Sequence, residues 1–153
     1  MESALNFPSE GLLQRLVAFF AALGIGVATY IAIAEAGGKA PACLAGGSGC
    51  QTVSESSYAH VAGINIAVFG IIGYALLLAT AFFANDGVRF GGFILSLTGF
   101  GYSVFLTYLE IFKIEAICQW CIGSAVLMTI LFLLNATRLI GYAGTEARLA
   151  DGS

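Results

Sequence analysis

Apolar stretches of membrane-spanning length, separated by short polar breaks, set the pattern of this chain. Four of them, at about 13–34, 64–84, 90–111 and 116–139, approach the ~20 apolar residues that a helix needs to cross a bilayer. The pattern predicts an all-α integral membrane protein: a four-transmembrane-helix bundle, with an extracytoplasmic loop and a short interfacial helix between the first two spans. The one long connection covers residues 35–63. Its first part, GGKAPACLAGGSGC, is rich in Gly and carries a Pro, so it is expected to be flexible. Its second part, QTVSESSYAHVAGI, has no Gly or Pro before Gly63. Here a short interfacial helix is expected, with Val53, Ser57 and Val61 on one side and Ser54, Glu55 and Ser56 on a more polar one. The later connections are tight, so the last three spans are expected to pack as sequential antiparallel neighbours. The third span carries Gly92, Ser96, Gly99 and Ser103 at steps of four, three and four residues. Such a stripe of small side chains lets a neighbouring helix approach closely.

Composition agrees with lipid as the solvent. Of 153 residues, 59 % are hydrophobic and 10 % charged, against roughly a quarter charged in a soluble domain. That length suits one bundle, so residues 1–153 are read as a single membrane domain. A net charge of −3 without a basic patch argues against nucleic acid as a partner. The first apolar run is too long for a secretory signal peptide, and Glu2 and Glu10 precede it beside a single basic residue, Arg15. Four spans place both termini on one side of the membrane. Arg15, Arg89, Arg138 and Arg148 fall on that side, while Lys39 and Lys113 fall opposite. The positive-inside bias puts the termini in the cytoplasm and the cysteine-bearing connections outside.

All four cysteines lie on that outer side. Cys43 and Cys50 sit in the flexible loop; Cys118 and Cys121, in ICQWC, open the fourth span. Residues at i and i+3 share a helix face, and Cys121 lies ~4.5 Å deeper than Cys118. Unpaired amides and the helix dipole favour a thiolate at such a helix start; Glu115 opposes this and Lys113 offsets it. Three arrangements are open. Four extracytoplasmic cysteines often form structural disulfides. A zinc site usually spaces paired ligands by two to four residues, and Cys43 and Cys50 have six between them. A redox relay needs one mobile pair and one fixed pair, which is what a Gly-rich loop and a helix start supply. The electron acceptor of a relay ending at the lipid edge is a lipid-soluble quinone.

These features together resemble the vitamin K epoxide reductase family, in its bacterial disulfide-forming branch. The resemblance runs from about Leu16 to Leu134 and rests on the paired loop cysteines, SSYAHVAGI, and ICQWC following YLEIFKIEA. It implies a four-helix bundle around a quinone, menaquinone or ubiquinone, capped by the loop and its short helix. It also implies roles. Cys43 exchanges with an extracytoplasmic thioredoxin-like protein, Cys50 attacks a Cys118–Cys121 disulfide at Cys118, Cys121 acts on the quinone, and Ser56 lies nearby. Many bacterial relatives carry a fused thioredoxin-like domain. This sequence ends at Ser153 without one, so a separate partner is expected, at a prokaryotic plasma (inner) membrane. Where the family often has Pro, this chain has Asn65, suited to hydrogen-bonding a quinone carbonyl or to starting a helix. Vertebrate epoxide-reducing members carry a Tyr four residues beyond the Cys-x-x-Cys; Ala125 stands there, which argues for plain quinone reduction. Two alternatives remain. One is a DsbB-like oxidase of different fold, in which the order of the two cysteine pairs is reversed; the other is a non-catalytic scaffold with structural disulfides. His60, Tyr58 and Trp120 read first as interfacial residues, and Tyr30, Tyr74, Tyr102 and Tyr108 as packing or headgroup residues.

Overall fold

A computed structural model describes residues 8–44 and 46–152; Glu2 and Ser153 lie outside the described residues. The described chain is mostly helical. Helix α1 (Glu10–Ala36) stops at a pair of glycines: the Gly37 amide bonds to the Ile33 carbonyl, and Gly38 takes φ +72°. That left-handed turn, which glycine adopts without Cβ strain, closes the helix.

The connection is more structured than a flexible loop followed by one helix. A short helix α2 (Gly49–Ser54) begins inside the Gly-rich part and carries Cys50. A 3-10 turn follows at Ser57–Ala59, and then a two-stranded hairpin, β1 (His60–Val61) and β2 (Ile64–Asn65). His60 pairs with Asn65 and Val61 with Ile64. Ala62 and Gly63 both take positive φ, 53° and 81°, the geometry that a two-residue hairpin turn requires. The expected short helix therefore ends before Val61. Ser56 Oγ donates to the Val53 carbonyl at 2.6 Å, a local bond of the kind that competes with a continuing helix.

Helix α3 (Ile66–Thr80) starts where Asn65 Oδ1 accepts the Ala67 amide at 2.7 Å. At 15 residues it is ~22 Å long, short of a ~30 Å hydrocarbon core. The hairpin takes its first expected residues, and the chain leaves the helix through turns at Ala81 and Phe82. Helix α4 (Asp86–Leu109) passes into a π turn at Glu110–Ile114, closed by Glu115 in the left-handed region at φ 54°. Helix α5 (Gln119–Asp151) runs well past residue 139. Among the described residues, three helices are long and apolar enough to cross a membrane: Glu10–Ala36, Asp86–Ile114 with its π turn, and Gln119–Asp151.

Helix α1 packs on α3 and α5, and α4 packs on α5, while α3 and α4 meet over a shorter stretch. The core is built from Val17, Ala21, Tyr74, Leu77 and Leu131. Gly24 lies flush on the Tyr74 ring, where a Cβ would sit 2.3 Å from ring carbons. The small-residue stripe of α4 faces α5: Ser96 is fully buried, and a Cβ at Gly99 would be 2.7 Å from Met128 Sδ. At the end of the bundle away from the cysteines, Arg138 is 1 % exposed. Its guanidinium donates to Glu10 Oε1 and to the carbonyls of Thr80 and Phe83. Arg89 Nε lies 3.5 Å from the same Glu10 oxygen. One ionic cluster thus ties together the start of α1, the end of α3, the start of α4 and the distal part of α5.

Candidate active site

Two segments bring the cysteines to one end of the bundle. In the loop, Cys43 and Cys50 are joined as a disulfide, with Cys43 partly exposed and Cys50 only 1 % exposed. Cys118 and Cys121 are free thiols. Cys118 occupies the N-cap position of α5 and is 2 % exposed; Cys121 lies one turn further in. The two segments touch through Gly49. A Cβ there would sit 2.2 Å from the Ile117 carbonyl oxygen, so only glycine lets α2 press against the backbone just before Cys118.

Cys50, Cys118 and Cys121 all line one cavity of about 300 Å³, and Cys43 lies outside its wall. All of the long helices contribute to that wall, through residues such as Ile31, Gly70, Leu95 and Met128. Ser56 and Ala125 face the cavity as well. Asn65 does not. Its Oδ1 caps α3 and its amide donates to the Glu35 carboxylate, so both ends of the side chain are engaged. Of the tyrosines, Tyr58, Tyr74 and Tyr102 border the cavity. The Tyr74 hydroxyl is bonded to the Ser124 carbonyl at 2.9 Å and to its Oγ at 2.7 Å. His60 is exposed on the hairpin.

The loop is held where it approaches the helix pair. Trp120 Nε1 donates to the Ala42 carbonyl at 2.8 Å, and the Ala42 amide donates to the Tyr30 hydroxyl at 3.1 Å. The two rings pack at 4.8 Å. Trp120 is therefore a clamp on the residue preceding Cys43 as well as an aromatic at the bundle end. Its place inside the Cys-x-x-Cys is the sequence signal for this.

The carboxylate that acts on the thiols is Glu110, not the exposed Glu115. Glu110 is 3 % exposed. Its backbone carbonyl accepts the Ala116 amide and its Oε2 accepts the Cys118 amide, both at 3.1 Å. The π turn displaces the chain enough for one residue to make both bonds. Cys118, just ahead of the α5 span, has its thiol lowered to about 7. A hydrogen bond from the Cys121 side chain is the leading cause, helped by the amides of Cys121 and Trp120 at the helix start and opposed by burial and by Glu110. The Cys-x-x-Cys thus divides into a thiolate-ready outer sulfur and an inner sulfur that donates to it.

The sequence model of the Vitamin K epoxide reductase family matches residues 15–136, a stretch containing both cysteine pairs, Gly49, Glu110 and Trp120. No curated protein gives a match to the chain.

Proposed function

The chain belongs to the vitamin K epoxide reductase family, which makes it a membrane thiol–disulfide oxidoreductase, and from that premise we propose that it is a quinone-dependent thiol oxidase of the disulfide-forming branch. A reduced thioredoxin-like protein on the outer side gives its electrons to the Cys43–Cys50 disulfide through Cys43. The freed Cys50 attacks a Cys118–Cys121 disulfide at Cys118, and the loop pair closes again as the helix pair is reduced. Cys121 then passes two electrons to a membrane quinone. Each exchange is attack of a thiolate on a disulfide sulfur, with the leaving thiolate favoured by a low pKa; Cys118 has that property and is the group that leaves when Cys43 attacks Cys50 of the Cys50–Cys118 bridge and closes the loop pair.

The observation that carries this reading is the meeting of three of the four relay sulfurs in one cavity. Their pairing is consistent with it: a closed loop disulfide beside a reduced helix pair is the state in which electrons wait for an acceptor. The cavity suits a quinone headgroup, since ligand pockets start at ~300 Å³ and are mainly apolar with a few placed polar groups. Here those groups include Ser56, Tyr102 and Glu110. We assign Ser56 to the quinone's border. Asn65 reaches a quinone carbonyl only by releasing Glu35, and otherwise serves as the cap of α3.

In the membrane we take α3 as the fourth crossing, its ends completed by Ile64 and by Phe82 and Phe83. That returns both termini to the cytoplasmic side of a prokaryotic plasma membrane. The ionic cluster of Glu10, Arg89 and Arg138 supports one common end for these helices. The test is Cys121→Ala, supplied with a reduced thioredoxin-like protein and a menaquinone or ubiquinone analogue. Quinol production should cease while Cys43–Cys50 is still reduced. Undiminished turnover would exclude the relay.

A further inference from the structure

The relay as drawn accounts for electrons and leaves the protons without a carrier. Quinol formation consumes two protons, and the thiol that acts on the quinone must first lose one. Glu110 stands at that thiol. Its carboxylate lines the cavity together with Cys121, accepts the Cys118 amide at 3.1 Å, and adjoins the Cys121 side chain. Among the described residues the ion pairs are those of Glu10 and Asp86 with Arg89 and Arg138, so no basic side chain holds Glu110. Glu35, the other carboxylate of the cavity wall, is already engaged by Asn65, and the Tyr74 hydroxyl by Ser124. A general base must lie within hydrogen-bond reach of the proton it removes, and Glu110 is the carboxylate of the cavity wall that adjoins Cys121.

We propose that Glu110 is a catalytic proton carrier, taking the Cys121 thiol proton and delivering it to the quinone oxygen. The proposal rests on the quinone-reducing reading of the site. As the Cys121 sulfur bonds a ring carbon, its S–H breaks and Glu110 takes the proton, then passes it to a ring oxygen. The Cys118 thiolate next attacks the Cys121 sulfur. The S–S bond forms, the S–C bond breaks, and the electron pair stays with the ring. The second ring oxygen takes a proton from the outer aqueous side, matching the one that Cys118 has already released there. Two thiols become one disulfide, quinone becomes quinol, and Glu110 ends as it began.

The test uses the full chain in detergent, with both cysteine pairs pre-reduced, mixed with a short-chain ubiquinone analogue and followed through a single turnover. Quinol is read by absorbance and cysteine pairing by quenched mass mapping. Glu110→Gln keeps an oxygen for the Cys118 amide but cannot take a proton, so quinol formation should slow by roughly 10²-fold, within the range general base catalysis supplies. Glu110→Asp restores a proton-accepting carboxylate and should recover most of the quinol rate. Quinol formed at the parent rate by Glu110→Gln overturns the proposal. Equal loss of quinol formation in the Gln and Asp variants also overturns it, because Glu110 would then only hold the start of α5. Failure of the quinone reading looks different: the parent itself would make no quinol, or Cys121→Ala would turn over.

Discussion

Gly49→Ala should separate the two cysteine pairs kinetically while leaving each chemically intact. A Cβ at this position would stand 2.2 Å from the Ile117 oxygen and 3.1 Å from its carbon, where ordinary contact begins at 3.4 Å. The obstructing atoms are backbone at the entry to α5, and Glu110 holds that backbone through the Ala116 and Cys118 amides. Helix α2 is short and has fewer ties, so α2 gives way, by roughly 1 Å if carbon and oxygen are to return to van der Waals distance. Cys50 moves with it. A misplacement of ~1 Å at a reacting atom costs about 10²-fold in rate, which is the slowing expected for transfer between Cys50 and Cys118. The assay starts from protein whose helix pair has been oxidised by quinone. The loop pair is reduced, and its reoxidation is followed by acid quench, alkylation and mass mapping. Quinol formation from the reduced helix pair should hold its parent rate, since neither Cys118 nor Cys121 depends on α2 for its place. Transfer at the parent rate in Gly49→Ala would refute the reasoning.

Three further outcomes follow from the same geometry. Cys118 has its thiol lowered to about 7, so its thiolate is present above that pH and is lost as pH falls through it. Steps in which Cys118 attacks should show a midpoint near 7, and Cys121→Ala should move the Cys118 titration up toward the ordinary thiol range; a midpoint unmoved in that variant would discount the Cys121 hydrogen bond. Glu10→Gln leaves the Arg138 guanidinium buried with carbonyls alone. Unfolding in detergent should show a loss of about 3 kcal/mol, the lower end for breaking a buried pair because the Glu10 side chain is itself 33 % exposed; a change below measurement would deny the cluster its structural role. Trp120→Phe keeps a ring against Tyr30 but releases the Ala42 carbonyl. Alkylation of reduced Cys43 should quicken about fivefold, the effect of one hydrogen bond worth ~1 kcal/mol, and an unchanged rate would mean that the clamp does not hold the loop.

What could be read from the sequence followed from its solvent. Apolar runs of bilayer length located the long helices, because lipid tolerates little else. They located the ends less well, because hydropathy reports what faces lipid and not what is helical. Thus α5 continues through GTEARLAD as an amphipathic helix, and α3 gives Ile64 and Asn65 to a hairpin. The hairpin was signalled by Ala62–Gly63, a turn too short to stand out beside a serine-rich run. Both cysteine pairs were visible from their spacing. Their partners were not. Glu110 stands near the end of an apolar segment, where an acidic residue reads as a headgroup contact, and only the π turn brings it to Cys118. The contact of Gly49 with Ile117 joins residues 68 apart in sequence, and a glycine within a Gly-rich loop gives no sign of which position requires it.

The central claim is that electrons leave outer thiols for a carrier within the bilayer, and the most direct measurement is stoichiometry. Purified protein in detergent is given a known quantity of reduced thioredoxin-like protein and excess menaquinone or ubiquinone analogue, without oxygen. One quinol should form for each dithiol oxidised, and none in Cys121→Ala. Dithiol oxidation without quinol, or quinol formed independently of Cys121, would contradict it.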